Sequence, residues 1–159
     1  MRTRGARGLP ALCLAVMLGF ALFHPGAARA GDLCAAHPTD DTLRPLPAAL
    51  APQVQAAFGL HDLSRAEIQK LTVMRCMGGQ VFVCFEGANL PCGKANSARS
   101  LPAAKDWCQH NPQADFIPAY ITGHDSLYQW RCKAGQAVPE SPAATDARGF
   151  LSRYWRPLN

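Results

Sequence analysis

The chain opens with an almost unbroken apolar run, Leu9 to Phe23, and thereafter its hydrophobic residues fall into short periodic groups. Leu50, Val54 and Phe58 recur every four residues, one stripe of a helix predicted to start near Pro52 and end at Gly59. Proline suits a first helical turn, where its missing N–H has no partner to lose. Ser64-Arg65-Ala66-Glu67 is a capping-box pattern, so a second short helix is predicted with Ile68 and Leu71 inward. At Thr72 the period changes. Thr72 to Cys76 and Gln80 to Phe85 are rich in strand formers, and Gly78-Gly79 between them predicts a hairpin with a two-residue turn. That turn sets the register: Met77 opposite Gln80, Cys76 opposite Val81, Val73 opposite Cys84. Cys76 and Cys84 then point to opposite faces of the sheet, so a bridge between them is disfavoured and each is expected to bond elsewhere.

The pattern beyond the hairpin is more broken. Gly87 to Gly93 is turn-rich, and an exposed loop is expected there. Ser100 can cap a helix from Leu101 to about Gln109, with Leu101, Ala104 and Cys108 on one side and Asn111-Pro112 as its stop. Cys92 and Cys108 flank this helix and are candidate partners. Phe116 to Thr122 reads as a strand, at an edge because it carries Pro118. Gly123 to Ser126 is a turn, Leu127 to Cys132 a strand, and Ala134-Gly135 another turn. Arg75-Cys76-x-x-Gly79-Gln80 recurs as Arg131-Cys132-x-x-Gly135-Gln136. Two readings are open: a duplicated hairpin, or chance recurrence of a common turn.

At the ends, Gly31 to Pro47 is polar and proline-broken, a loop expected to be tied down by Cys34. From Pro139 to about Asp146 the chain is proline, alanine, serine and acid, which reads as a flexible linker. Phe150, Leu151, Tyr154, Trp155 and Leu158 then share one face of a predicted amphipathic helix, with Arg148, Arg153 and Arg156 opposite. These five apolar residues are the candidate partner-docking face. The tail would contact an anionic membrane or a partner, or fold back on its own domain.

Charge and cysteine count change this picture. Arg2, Arg4 and Arg7 precede the apolar run, and Ala28-Arg29-Ala30 follows it as a small-x-small cleavage site. The run is too short for a membrane span. Residues 1–30 are therefore predicted to be a secretory signal peptide, directing the chain by the general secretory route to the periplasm or outside the cell. Without them, four of the 16 basic residues are lost, leaving 12 against 11 acidic ones, a net charge of about +1 rather than +5. No basic stripe remains, so nucleic-acid binding is not expected. Of the seven cysteines, Cys13 leaves with the signal. Cys34, Cys76, Cys84, Cys92, Cys108 and Cys132 remain, an even number in a small exported chain, and predict three disulfides among about fifteen possible pairings. Their spacing contains no C-x-x-C, so zinc ligation, thioredoxin-like chemistry and c-type haem attachment lose their usual signatures. No cofactor or metal is expected.

Candidate chemistry is sparse. His37, His61, His110 and His124 survive cleavage. His124-Asp125, in a turn after Gly123, is the most suggestive pair, because a histidine beside a carboxylate can act as a base. Against it, adjacent residues do not make a triad, and no G-x-S-x-G elbow is present. Asp125 can equally cap its own turn. A metal site from His110, His124 and Asp125 lacks helical H-x3-H spacing.

Five segments together resemble a group of small exported cysteine-rich bacterial proteins with no assigned activity: Arg75-Cys76-x-x-Gly79, Gly87-Ala88-Asn89-Leu90-x-Cys92, Ile117-Pro118, Thr122-Gly123-His124-Asp125 and Tyr128-x-Trp130-x-Cys132. The likeness spans about residues 72–138 and implies export without implying a reaction. A looser similarity, a strand with Cys-x-x-Gly leading to a second strand, is to the periplasmic inhibitors of c-type lysozyme, which are small antiparallel β-barrels. This chain departs from them in its fewer strands, additional cysteines and helical segments.

The expected fold class is α+β: a small disulfide-stapled domain at 31–138 with antiparallel hairpins and a few short helices, followed by a linker and tail at 139–159. The expected function is non-enzymatic binding of a periplasmic or envelope component. The alternative is a small hydrolase using His124 and Asp125.

Overall fold

The computed structural model describes residues 30–87 and 90–158. Apart from Ala30, the signal segment lies outside the described residues, as do Ala88 and Asn89. The fold is α+β. In chain order the elements are α1 (Ala30–Leu33), β1 (Asp40–Pro45), α2 (Ala51–Phe58), α3 (Arg65–Lys70), β2 (Thr72–Met77), β3 (Gln80–Phe85), α4 (Pro102–His110), α5 (Ala119–Thr122), β4 (Tyr128–Lys133), β5 (Gln136–Pro142) and β6 (Trp155–Leu158). One sheet has the order β1-β2-β3-β6 and the other is the β4-β5 hairpin; every pairing is antiparallel.

Local signals built the first half. Gly59 ends α2 in the left-handed conformation, and Ser64 and Glu67 close the capping box of α3. The first hairpin has the expected register, with Met77 opposite Gln80, Cys76 opposite Val81 and Val73 opposite Cys84. Parity then sorts the sheet into two buried faces. Met74, Cys76, Val81 and Val83 join Val54 and Ile68 in one core cluster, beneath α2 and α3. Cys84 lies on the other face with Phe150 and Trp155, flanked by Val73 and Phe82. A third cluster joins α4 to β4 through Ala104, Cys108, Ile117, Trp130 and Cys132.

The disulfides are Cys34–Cys76, Cys84–Cys92 and Cys108–Cys132. Cys76 and Cys84 bond elsewhere, as their opposite faces require. The candidate pair Cys92–Cys108 is not formed. Cys108 sits on the buried side of α4 and meets Cys132 on β4, whereas Cys92 reaches back to β3.

Three expectations about secondary structure are corrected here, and a fourth, the strand at residues 116–122, with the site below. The Gly31–Pro47 loop contains α1 and the edge strand β1. Residues 139–142, expected in a linker, continue β5, with Trp130 paired to Pro139 and Tyr128 to Pro142. The tail is not an amphipathic helix: a 3-10 turn at Ser152–Tyr154 leads into β6, which pairs with β3 from Val81↔Leu158 to Cys84↔Trp155. The i, i+4 spacing in the tail was misleading because an open sheet edge with an apolar face was available to bury the same side chains.

The repeated Arg-Cys-x-x-Gly-Gln is a repeated structure. Both turns place two residues at positive φ, Gly78 (60°) with Gly79 (79°) and Ala134 (49°) with Gly135 (75°), the backbone of a type I′ turn. In both, the strand cysteine bonds to a cysteine at the end of a helical segment: Cys34 just past α1, and Cys108 in the last turn of α4. Four residues after each of these stands a proline whose carbonyl accepts from the second turn glycine, Gly79 to Pro38 (2.8 Å) and Gly135 to Pro112 (3.0 Å). Two residues further on, Asp40 is paired with Cys76, and the Ala114 carbonyl accepts from the Cys132 amide (2.7 Å). The chain therefore carries two copies of one unit, a helix end clamped to a hairpin.

Candidate functional site

The second unit is the less covered one. Its hairpin packs on α4 and is not continued by further strands of its sheet. Next to it lies α5. Residues 116–122 were expected to be strand, but Pro118 in extended conformation (φ −60°, ψ 148°) acts as the N-cap of a single helical turn. The Pro118 carbonyl accepts from the amides of Ile121 and Thr122, and Gly123 at φ 88° ends the turn. A proline that has no ladder hydrogen to lose and a glycine four residues after Ala119 favour this local closure over a strand.

The geometry of α5 determines what is displayed. Ile117 is anchored inward, its amide donating to the Trp130 carbonyl at 2.8 Å. Phe116 and Tyr120 point outward, 62% and 72% exposed, the two most exposed large hydrophobics among the described residues. Tyr120 packs edge-on against Trp107 of α4, ring centres 6.2 Å apart. α5 is thus an aromatic ridge with a depression on each side. The first, about 490 Å³, is an apolar groove lined by Trp107, His110, Asn111 and Ile121. On the other side is a trough of two neighbouring cavities, about 150 Å³ beside His124 and about 380 Å³ beside Ala144. They share Ser126, Tyr128, Gln129 and Arg153. A separate groove of about 450 Å³ lies between β1 and α3 beside Leu43, which is 37% exposed.

The candidate catalytic residues sit at the rim of the trough. His124 is exposed in the turn after α5. Asp125 folds back over Gly123, so closely that a Cβ there would lie 2.5 Å from its Oδ1. Ser126 is buried and committed: its hydroxyl accepts from Trp130 Nε1 (2.9 Å) and donates to the Tyr128 carbonyl (3.0 Å). Among the described residues no hydrogen bond joins His124 to Asp125 or to a hydroxyl. The turn is held from outside by Asn96, whose amide donates to the Asp125 carbonyl and whose carbonyl accepts from Leu127. His110 lines the other groove, with Nδ1 3.1 Å from the Asp106 carbonyl. His37 and His61 are exposed on the first half of the chain. Among the described residues no three His, Cys, Asp or Glu side chains gather as metal ligands.

The tail residues expected to dock on a partner are spent internally. Phe150, Leu151, Trp155 and Leu158 are buried and Tyr154 is half-buried. Phe150 and Trp155 meet at 5.5 Å and enclose Arg75, which is fully buried on the outer face of β2. The guanidinium lies 4.1 Å from the Phe150 ring and 4.4 Å from that of Trp155, and it pairs with Asp146. Sequence reasoning missed this buried arginine. The available signal was a lone charge in an apolar strand, with an aromatic-rich tail carrying an acid nearby.

Three buried disulfides fit an oxidising, extracytoplasmic environment. No helix among the described residues is long and apolar enough to cross a membrane. No protein-family model, curated protein or solved structure matches the chain.

Proposed function

We propose that this protein is an exported, disulfide-stabilised and non-enzymatic binding module that recognises a protein or envelope component through the α5 ridge. The observation that carries this reading is the exposure of Phe116 and Tyr120, four residues apart, with Tyr120 packed on Trp107 between two depressions. Single exposed hydrophobics are ordinary, but an aromatic cluster flanked by concave surface is the composition of a recognition site. The reading retains the signal peptide at 1–30 and the resemblance to exported cysteine-rich proteins as its account of location. A hydrolase at His124 and Asp125 is less well supported, because Ser126 has no free hydroxyl and Asp125 turns away.

The test is a double substitution, Phe116→Ser with Tyr120→Ser, compared with wild type for capture from an envelope extract. Both side chains are solvent-exposed, so the fold and the three disulfides should persist by circular dichroism and by the mass of the unreduced protein. Retained material should fall by about tenfold or more, the loss expected when aromatic anchors are truncated. Undiminished capture by the folded variant would remove the ridge as the binding surface. For the enzymatic alternative, any activity of the wild type that survives His124→Ala cannot be centred on that residue.

A further inference from the structure

We infer that the trough beside α5 takes an acidic, extended peptide segment of the protein partner, with Arg153 pairing to a carboxylate at its middle. This rests on the binding reading above and specifies the partner's chemistry. The charge of the trough is one-sided. Arg153 lines both of its cavities and, among the described residues, has no carboxylate within ion-pair distance. Its backbone carbonyl accepts from Arg156 and its guanidinium lies 4.7 Å from the Tyr154 ring, so the charge itself is uncommitted. A second arginine, Arg99, lines neither cavity but contacts the lining residue Tyr128, 5.0 Å over its ring and donating to its hydroxyl at 3.2 Å. His124 lines the smaller cavity. No aspartate or glutamate lines either cavity; of the acids adjoining lining residues, Glu140 is paired with Arg131, Asp125 has its carboxylate over Gly123 at the rim, and Asp115 precedes Phe116.

Shape and lining point to a polymer rather than a small ion. The two cavities of the trough adjoin at Ser126, Tyr128, Gln129 and Arg153, and together their linings run from residues 116–124 through the start of β4 to the end of β5. Its walls alternate in character: Ile117, Tyr128 and Pro142 are apolar, while Gln129 and Ser141 offer an amide and a hydroxyl. An inorganic anion would use only the cations. A peptide with carboxylates and intervening apolar side chains would use all of these, and a guanidinium matches a carboxylate in a two-point geometry.

The experiment uses the full exported chain, isotopically labelled, and three probes. One is an octapeptide of alternating glutamate and leucine, the second has glutamine in place of glutamate, and the third is inorganic polyphosphate. With the glutamate peptide, amide shifts should cluster at Gln129, Ser141, Ala143 and Arg153. Arg153→Gln should weaken binding by about tenfold and Arg153→Lys by less, while the glutamine peptide should leave the trough unshifted. The side chain is exposed and none of its groups supports the core, so these variants should fold. Absence of shifts in the trough with the glutamate peptide would overturn the inference. So would equal binding of the glutamine peptide, or an Arg153→Gln variant that binds as wild type does. Polyphosphate binding with the same strength and the same dependence on Arg153 would also overturn it, by reducing the site to a general anion subsite. The ridge reading fails separately, if the Phe116 and Tyr120 double variant keeps its capture. A positive ridge result with a silent trough would therefore remove only the acidic-peptide inference.

Discussion

In the first hairpin unit the arginine before the bridged cysteine, Arg75, is fully buried, stacked on Phe150 and Trp155 and paired with Asp146. In the second, the equivalent Arg131 is half exposed and pairs with Glu140, 3.0 Å away at the surface. The two residues begin from the same motif, the same turn geometry and an equivalent disulfide. What differs is the cover. β1 and β6 extend the first hairpin into a four-stranded sheet, and the segment leading into β6 closes its outer face. The second hairpin is covered on one face only, by α4 and by the segment around α5 that forms the ridge, and its other face, with Gln129, Arg131 and Lys133, lies in solvent. The comparison separates scaffold from display: one copy of the unit has become the core of the fold, and the other, under the binding proposal, offers its surroundings to a partner.

The largest contrast should be at the two arginines. Arg75→Met strands the largely buried Asp146 carboxylate and should cost about 3–5 kcal/mol, the usual consequence of breaking a buried pair from one side. Arg131→Met removes an exposed pair and should cost no more than about 1 kcal/mol. Urea unfolding of both variants measures this, and equal costs would end the claim that the two units differ in role.

The disulfides should behave alike, because they are equivalent. Replacing Cys34 and Cys76 with serine opens a loop of 42 residues, and replacing Cys108 and Cys132 opens one of 24. Chain entropy gives about 4 and about 3.5 kcal/mol, against about 2.5 for the short Cys84–Cys92 loop of 8 residues. Thermal unfolding of the three double variants should keep that order. A Cys108–Cys132 deletion milder than the Cys84–Cys92 deletion would show that the second unit does not depend on its clamp.

The turns offer a smaller, sharper test. Gly78 and Ala134 occupy the same position, both at positive φ, and a Cβ on Gly78 would meet no atom within 4 Å. Gly78→Ala should therefore cost about 1 kcal/mol through backbone conformation alone, and Ala134→Gly should recover a similar or smaller amount. Opposite signs in denaturant unfolding confirm the equivalence of the turns; like signs contradict it.

The smallest effect is acid dependence at the junction of the ends. Arg148 holds Asp41 by two hydrogen bonds of 2.9 Å and Lys94 adds a third contact at 2.7 Å, which keeps the Asp41 carboxyl well below its ordinary value of 3.8. A lowered value in the fold means that this stabilisation is complete above about pH 4 and is lost as the pH falls further, when protonation removes the charge. Asp41→Asn should be less stable than wild type at neutral pH, with the gap closing below about pH 4. A gap independent of pH would show that the carboxylate charge contributes nothing.

Legibility in the sequence followed the range of the interaction. The hairpin register, the capping box and the Gly59 helix stop depend on neighbours a few residues apart, and each stands where the residues placed it. The parity of Cys76 and Cys84 carried further, excluding one bridge correctly. The pairing of Cys108 with Cys132 needed the packing of α4 on β4, which no local pattern encodes. The tail failed for a related reason. Phe150 to Leu158 satisfies a helical stripe, yet the open edge of β3 and the apolar cage around Arg75 bury the same residues as turn and strand. Pro118 obscures the ridge in the sequence, because a proline in an apolar run also suits an edge strand, whereas here it caps α5. The repeat was visible in Arg-Cys-x-x-Gly-Gln, and the matching Cys34-x3-Pro38 and Cys108-x3-Pro112 would have extended it.

The division into scaffold and display is tested most directly by site-specific photo-crosslinking in the producing cell. A benzophenone side chain is placed at position 120 on the ridge or at position 43, the exposed leucine of the first unit. Both sites reach solvent, Leu43 at 37% and Tyr120 at 72% exposure, so general surface encounters give at most about a twofold difference in adducts between them. The account predicts discrete adducts from position 120 and none from position 43. Adducts from position 43 with none from position 120, or no adduct from either, would contradict it.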